Sequence, residues 1–258
     1  MKILSIGNSF SIDTMSYIPD IARSAGVTNI YFGNLFIPGC SIARHYRNAT
    51  EDLSEYIFYT NDGSGWEKTP EVSIRQALLQ QWDIISIQHG TGDGSCYTKP
   101  ESYQHLEALI AYVKKLAIGT PRIAFNMAWV AEQNCGRREI TTFGGDQMRM
   151  YEALTDLTSR LVAPQVDVLS PAGTAIQNAR TVFEEKLTRD DFHLSLGMGR
   201  YIAGLTFMAA LTGLDLDRVT FAPEGVTEEA QQMAKQAVVA ALAQPFKQTV
   251  LIRKSPEQ

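Results

Sequence analysis

Short apolar runs alternate with amphipathic helical patterns along the whole chain, and this alternation limits the possible folds more than any other feature. Residues 3–6, 29–37, 83–87, 122–127 and 166–169 are rich in Ile, Val, Leu and Phe, and each is of strand length. Between and after them lie helical patterns near 101–116, 146–161, 174–185, 195–211 and 227–242. Strands that alternate with helices imply βαβ units and a mostly parallel sheet, with functional residues in the loops at the carboxyl ends of the strands.

Local signals refine this reading. Asp13 is placed to cap a helix that carries Met15, Ile18, Ile21 and Ala22 on one face, and Gly26 is placed to end it. Pro38-Gly39 breaks the second strand, and a short helix is expected from Ser41. Segments 55–60 and 66–69 flank Asn61-Asp62-Gly63-Ser64-Gly65, which is a hairpin signal. A helix over 71–81 is expected next. No linker, repeat or low-complexity tract interrupts the 258 residues, so a single domain over 1–258 is expected, with 45% hydrophobic residues to fill its core.

Charge and cysteine usage narrow the function classes. The formal net charge is −5, from 23 basic and 28 acidic residues. That balance argues against a nucleic-acid partner, which needs clustered Lys and Arg, and against an anionic membrane surface. No stretch is apolar enough to span a bilayer. Met1 runs straight into the first strand without a basic start and long apolar region, so cytoplasmic residence is expected, a trimmed leader aside. Cys40, Cys96 and Cys135 form no CxxC pair and read as reduced thiols. The four histidines are scattered, so no metal site is expected. Gly7, Gly90 and Gly92 complete neither a dinucleotide fingerprint nor a Walker loop, and no cofactor is expected. Thr91-Gly92-Asp93-Gly94-Ser95 lacks the remaining ligands of a calcium loop and reads as a flexible turn.

The strand-end positions hold the chemistry. Residues 7–11, Gly-Asn-Ser-Phe-Ser, follow the first strand, where the Ser9 backbone N–H near a helix start can face a developing oxyanion. A helix-entry serine is the alternative for Ser9 and Ser11. Of the histidines, His45 and His105 lie on helical stretches and read as packing or surface residues. His193 sits in an irregular segment ahead of a helix, with Asp190 three residues before it, close enough for its carboxylate to orient the ring.

These pieces together resemble the SGNH (GDSL-type) hydrolase superfamily. The resemblance rests on Gly7-Asn8-Ser9-Phe10, on Gly39 after the second strand and on Asp190-x-x-His193 near the end. It looks closest to a poorly characterised bacterial branch that opens with Gly-Asn-Ser-Phe-Ser. Residues 37–41 (Ile-Pro-Gly-Cys-Ser), Trp82-Asp83, Gln88, Trp129 and the blocks at 192–195 and 199–201 are similar to that branch. The resemblance implies a three-layer α/β/α, flavodoxin-like sheet. It also implies Ser9 as nucleophile, His193 as general base and Asp190 as its orienter. The oxyanion hole would be built from Ser9, Gly39 and, in place of the family's asparagine, Gln88. Asn8 stands where the wider family often has Asp.

The activity so implied is hydrolysis of an O-acyl ester, an acetyl group on a carbohydrate foremost, through an acyl-enzyme. His89, Asn126 and Trp129 are the candidate substrate contacts, with core packing as the alternative for each. The polar segment 131–142 is long for a connection and is expected as a substrate-facing lid, with the hairpin near 56–69 as a second rim. Tyr97 and Tyr103 read as surface or packing residues, with ligand contact as the alternative. Rival readings are a lipase or thioesterase using the same residues, a catalytically silent carbohydrate-binding protein, and a metal-dependent hydrolase.

Overall fold

The computed structural model describes residues 1–90 and 96–252. The turn expected at 91–95 lies outside the described residues. Among the described residues, the strands are β1 (Lys2–Gly7), β2 (Tyr31–Phe36), β3 (Tyr56–Asn61), β4 (Glu67–Val72), β5 (Ile84–Gln88), β6 (Arg122–Asn126) and β7 (Val168–Ser170). They form one sheet in the order β4-β3-β2-β1-β5-β6-β7. Strands β2, β1, β5, β6 and β7 run parallel, and the β3–β4 hairpin adds antiparallel to the outer edge of β2. The α/β class with a mostly parallel sheet is the one expected from the alternating pattern.

The helices are α1 (Ser9–Met15), α2 (Ile18–Ser24), α3 (Ile42–Thr50), α4 (Ile74–Ala77) and α5 (Leu106–Leu116), followed by α6 (Arg138–Thr141) and α7 (Gln147–Leu157). The carboxyl-terminal ones are α8 (Ala172–Ala179), α9 (Met198–Thr212) and α10 (Glu228–Ala243). Side chains alternate across β1 and so divide the core into two layers. Ile3 joins the cluster built with α1, α2, α8, α9 and α10, while Leu4 and Ile6 join the cluster built with α3, α4 and α5. Helix α9 packs against α1, α2, α8 and α10 at once, which is why it is apolar almost all round. No helix among the described residues is long and apolar enough to cross a membrane.

Three local expectations are corrected. The first helix begins at Ser9, not at Asp13. Asn8 caps it by accepting the Phe10 N–H at 3.0 Å, while the Asp13 side chain is fully buried and used elsewhere. The helix expected over 71–81 shrinks to α4. β4 continues to Val72 through Glu71 at φ +58°, and Ser73 and Gln76 then form a capping box that starts the helix. The long helix expected at 174–185 ends at Ala179.

The chain leaves β1 for β2 on one side and reaches β5 on the other, so β1 lies at the point where strand order reverses. The loops after β1, β2 and β5 meet at this crevice. A Cβ at Gly90 would collide with the carbonyl of Cys40, so the loops after β5 and β2 can approach this closely only with glycine there.

Candidate active site

Ser9 opens α1 directly after β1. Its hydroxyl lies 2.9 Å from Nε2 of His193, and Nδ1 of His193 lies 2.7 Å from Oδ2 of Asp190. The structure therefore brings together three residues from the two ends of the chain in one line of hydrogen bonds. The Asp190 loop is shaped by its own carboxylate, whose Oδ1 accepts the backbone N–H groups of Phe192 at 3.1 Å and His193 at 2.7 Å. Asp191 takes the left-handed conformation at φ +64°, and a bridge between Thr188 and Leu194 closes the loop. Partial burial works to raise the Asp190 carboxyl. The hydrogen bonds from the His193 side chain and backbone, with the charges of His193 and Arg137, outweigh it and hold the group below the usual carboxylate range.

Asp13 joins the two halves of this site. It sits one turn beyond Ser9 on α1, and its Oδ2 accepts the Leu194 N–H at 2.9 Å. Two guanidiniums neutralise it, Arg189 at 3.0 Å and Arg200 at 2.8 Å. Phe10 and Phe192, the neighbours of Ser9 and His193, pack ring to ring at 5.0 Å.

Asn8 organises the other side. Its Nδ2 donates to the carbonyls of Cys40 at 3.0 Å and His89 at 2.8 Å, and its Oδ1 accepts from Phe10 N–H and from Gln88 Nε2 at 2.6 Å. One buried carboxamide thus ties together the loops after β1, β2 and β5. Ile37 N–H donates to the Gly7 carbonyl at 3.2 Å and draws the Gly39 turn alongside. Gly39 has φ +62°, a conformation other residues adopt only with strain. The N–H of Ser9, in the first turn of α1, has no intrahelical acceptor.

Several expected contacts lie elsewhere. Gln88 is buried at 1% exposure, and one of its two Nε2 hydrogens goes to Asn8, which ties the end of β5 to the loop after β1. Trp129 is fully buried, with its indole N–H donated to the Phe192 carbonyl at 2.7 Å, so it cannot stack on a ligand. Asn126 is buried between Thr14 and Ser170, donating at 3.1 Å and accepting at 2.9 Å. His89 is buried edge-on to Phe125 at 4.7 Å and bonded to the Tyr103 hydroxyl; burial pushes its pKa down to about 3. All three stand at strand ends but beneath covering loops. The segment 131–142 is a buttress. Glu132 N–H donates to the Asp191 carbonyl at 2.9 Å, Arg137 lies 4.6 Å over the Phe192 ring, and Ile140 is fully buried.

Arranged this way, an imidazole can remove the proton of a half-buried hydroxyl while a carboxylate fixes its tautomer and steadies the cation that forms. A family model described as a domain of unknown function, DUF4886, matches residues 2–241. The chain belongs to the DUF4886 family. A DUF4886 family protein from Bacteroides uniformis ATCC 8492 is 30% identical and superposes with a TM-score of 0.90 over 97% of this chain and 98% of that one. At 14% identity, an acetylxylan esterase from Geobacillus stearothermophilus matches with a TM-score of 0.51 over 85% of this chain and 94% of its own. A member of the lipolytic G-D-S-L family from Veillonella parvula DSM 2008 matches with 0.52 over 82% and 98%, also at 14% identity. These two share the fold with the DUF4886 chain. No curated protein matches it.

Asn8, Asp13 and Arg137 are the structural contributors that reading the sequence missed. The signal for Asp13 resembled a helix cap, and that for Asn8 was only its place beside Ser9.

Proposed function

We propose that this DUF4886 protein is a serine esterase that hydrolyses an O-acyl ester through an acyl-Ser9 intermediate. The observation that carries the reading is the contact of 2.9 Å between Ser9 Oγ and His193 Nε2, backed at 2.7 Å by Asp190. His193 takes the Ser9 proton as Oγ attacks the acyl carbonyl carbon. The carbonyl oxygen becomes an oxyanion and accepts from the N–H groups of Ser9 and Gly39, whose loops Asn8 holds in register. The alcohol leaves with the proton from His193. A water then gives its proton to His193, attacks the acyl carbon and releases the acid and Ser9.

A short acyl group, acetyl foremost, on a carbohydrate alcohol is the preferred substrate. The shared fold with an acetylxylan esterase supports it by analogy. The test is hydrolysis of p-nitrophenyl acetate, butyrate and octanoate by the intact protein and by Ser9→Ala. Turnover that falls with acyl length and drops by at least roughly 10³-fold in the variant is expected. Equal turnover in Ser9→Ala overturns the proposal, and preference for octanoate replaces the short acyl group with a lipid one.

A further inference from the structure

The solvent-facing stripe of α1 is narrow. Ser9, Ile12 and Ser16 are half-buried, while the five residues that α1 turns inward are buried. A cavity of about 390 Å³ opens along this stripe, lined by Ile12, Ser16, Asn34, Tyr59, Trp66 and Arg200 among others. Its volume falls in the range of roughly 300–1,000 Å³ typical of small-molecule sites. Ile12 is one turn along the helix from Ser9, about 4.5 Å of rise, so the cavity starts one turn of α1 from the nucleophile, which does not itself line it.

Three features of its wall select a ligand. Trp66 and Tyr59 come from the β3–β4 hairpin and offer aromatic surface, with Trp66 37% exposed. Asn34 is only 1% exposed; its Oδ1 accepts from Ser11 at 2.8 Å, and its Nδ2 has no partner among the described residues. Arg200 is the one charged side chain in the described lining. It gives Nε and Nη2 to Asp13, which leaves Nη1 without a partner among the described residues. Asp13 is shared with Arg189, so one carboxylate answers two guanidiniums and the cluster holds a surplus positive charge.

We propose that this cavity is the alcohol subsite of the Ser9 centre and that it takes a sugar acid. In this subsite the ring packs on Trp66 and Tyr59, its hydroxyls meet Asn34 and Ser16, and its carboxylate meets Arg200. An aromatic wall suits the apolar face of a pyranose, and an incompletely neutralised guanidinium favours a carboxylate over a neutral substituent. The assignment of this cavity to the alcohol rests on the esterase reading of Ser9; the binding of a sugar acid does not.

The test is calorimetric titration of the Ser9→Ala protein with D-galacturonate, D-glucuronate and D-glucose. At least tenfold tighter binding of one uronate than of glucose is expected. Trp66→Ala, on the exposed hairpin, is expected to weaken uronate binding at least tenfold, and Arg200→Gln to erase the preference over glucose. Saturating uronate is also expected to slow labelling of Ser9 in the unaltered protein by a bulky fluorophosphonate at least threefold. Equal binding of glucose, no binding of any of the three, or unchanged affinity in Trp66→Ala overturns the sugar-acid assignment and leaves the esterase reading standing. Tight uronate binding without protection of Ser9 separates the cavity from the alcohol subsite.

Discussion

Asp13 accepts the backbone N–H of Leu194 at 2.9 Å, so the helix that carries Ser9 holds the residue that follows His193. This contact spans 181 residues of sequence and is buried. It fixes the distance between hydroxyl and imidazole from the far side of both, without touching either reacting atom. Asp13 is therefore a positioning residue.

Asp13→Asn is expected to lower kcat for p-nitrophenyl acetate at least tenfold with KM changed less than twofold. Stability should fall by roughly 2–3 kcal/mol, at or below the usual cost of breaking a buried ion pair, because Arg189 and Arg200 keep solvent access. Steady-state kinetics and urea denaturation check both. A change in stability alone, with kcat intact, reduces Asp13 to a structural role.

Asp190→Asn keeps the shape of the loop but removes the charge that selects the His193 tautomer. A loss of roughly 10²–10⁴-fold in kcat is expected, the upper end being typical of a fully buried orienting carboxylate. The Asp190 side chain is 43% exposed, which favours the lower half of that range. Loss of less than tenfold contradicts the assignment.

Asn8→Ala removes one hydrogen bond each from the carbonyls of Cys40 and His89 and from the amide of Gln88. Each such group costs about 1–3 kcal/mol when buried and unpaired, unless water enters. The loops after β2 and β5 then lose their common anchor. The variant is expected to melt at lower temperature and to lose at least tenfold in kcat, read by calorimetry and kinetics. A variant with wild-type kcat shows that the Gly39 turn needs no support from Asn8.

His45 and His89 are buried as neutral rings, burial holding both near a pKa of about 3; the neighbouring Arg44 adds to this at His45. In the unfolded chain both take a proton near the ordinary histidine value of about 6.5. Between these values the unfolded state binds more protons, so stability rises with pH and is lost as pH falls from about 6.5 toward 3. Each ring contributes a slope of up to roughly 1.4 kcal/mol per pH unit in that window. Denaturant unfolding at pH 7 and pH 5 is expected to show a drop of a few kcal/mol, with two histidine ring resonances that do not titrate in the folded protein. Movement of all four histidine resonances over that range contradicts this.

Much of this architecture is legible in the sequence because it is local. β-branched runs mark the parallel strands, and Asn61 to Gly65 mark the hairpin that supplies Trp66. Ser9 and Asp190-x-x-His193 stand out because each lies in a short segment of distinctive composition, Ser9 at the junction of β1 and α1 and the other pair in an irregular loop. Burial at strand ends is what composition does not encode. Trp129, Asn126 and His89 follow strands at the functional edge of the sheet, yet the 187–195 loop and residues such as Thr14, Ser170 and Tyr103 enclose them. Asp13 looks like a cap from its neighbours alone, because its three partners lie 176 to 187 residues away. The cavity of Tyr59, Trp66 and Arg200 joins an edge hairpin to α9, and no sequence spacing announces that meeting.

The contact between Ser9 and His193 has one direct measurement: peptide mass spectrometry after reaction with a fluorophosphonate. A single adduct on Ser9 is expected in the unaltered protein, absent from Ser9→Ala and at least tenfold slower to form in His193→Ala. An adduct on another residue, or equal labelling of Ser9→Ala, contradicts the account.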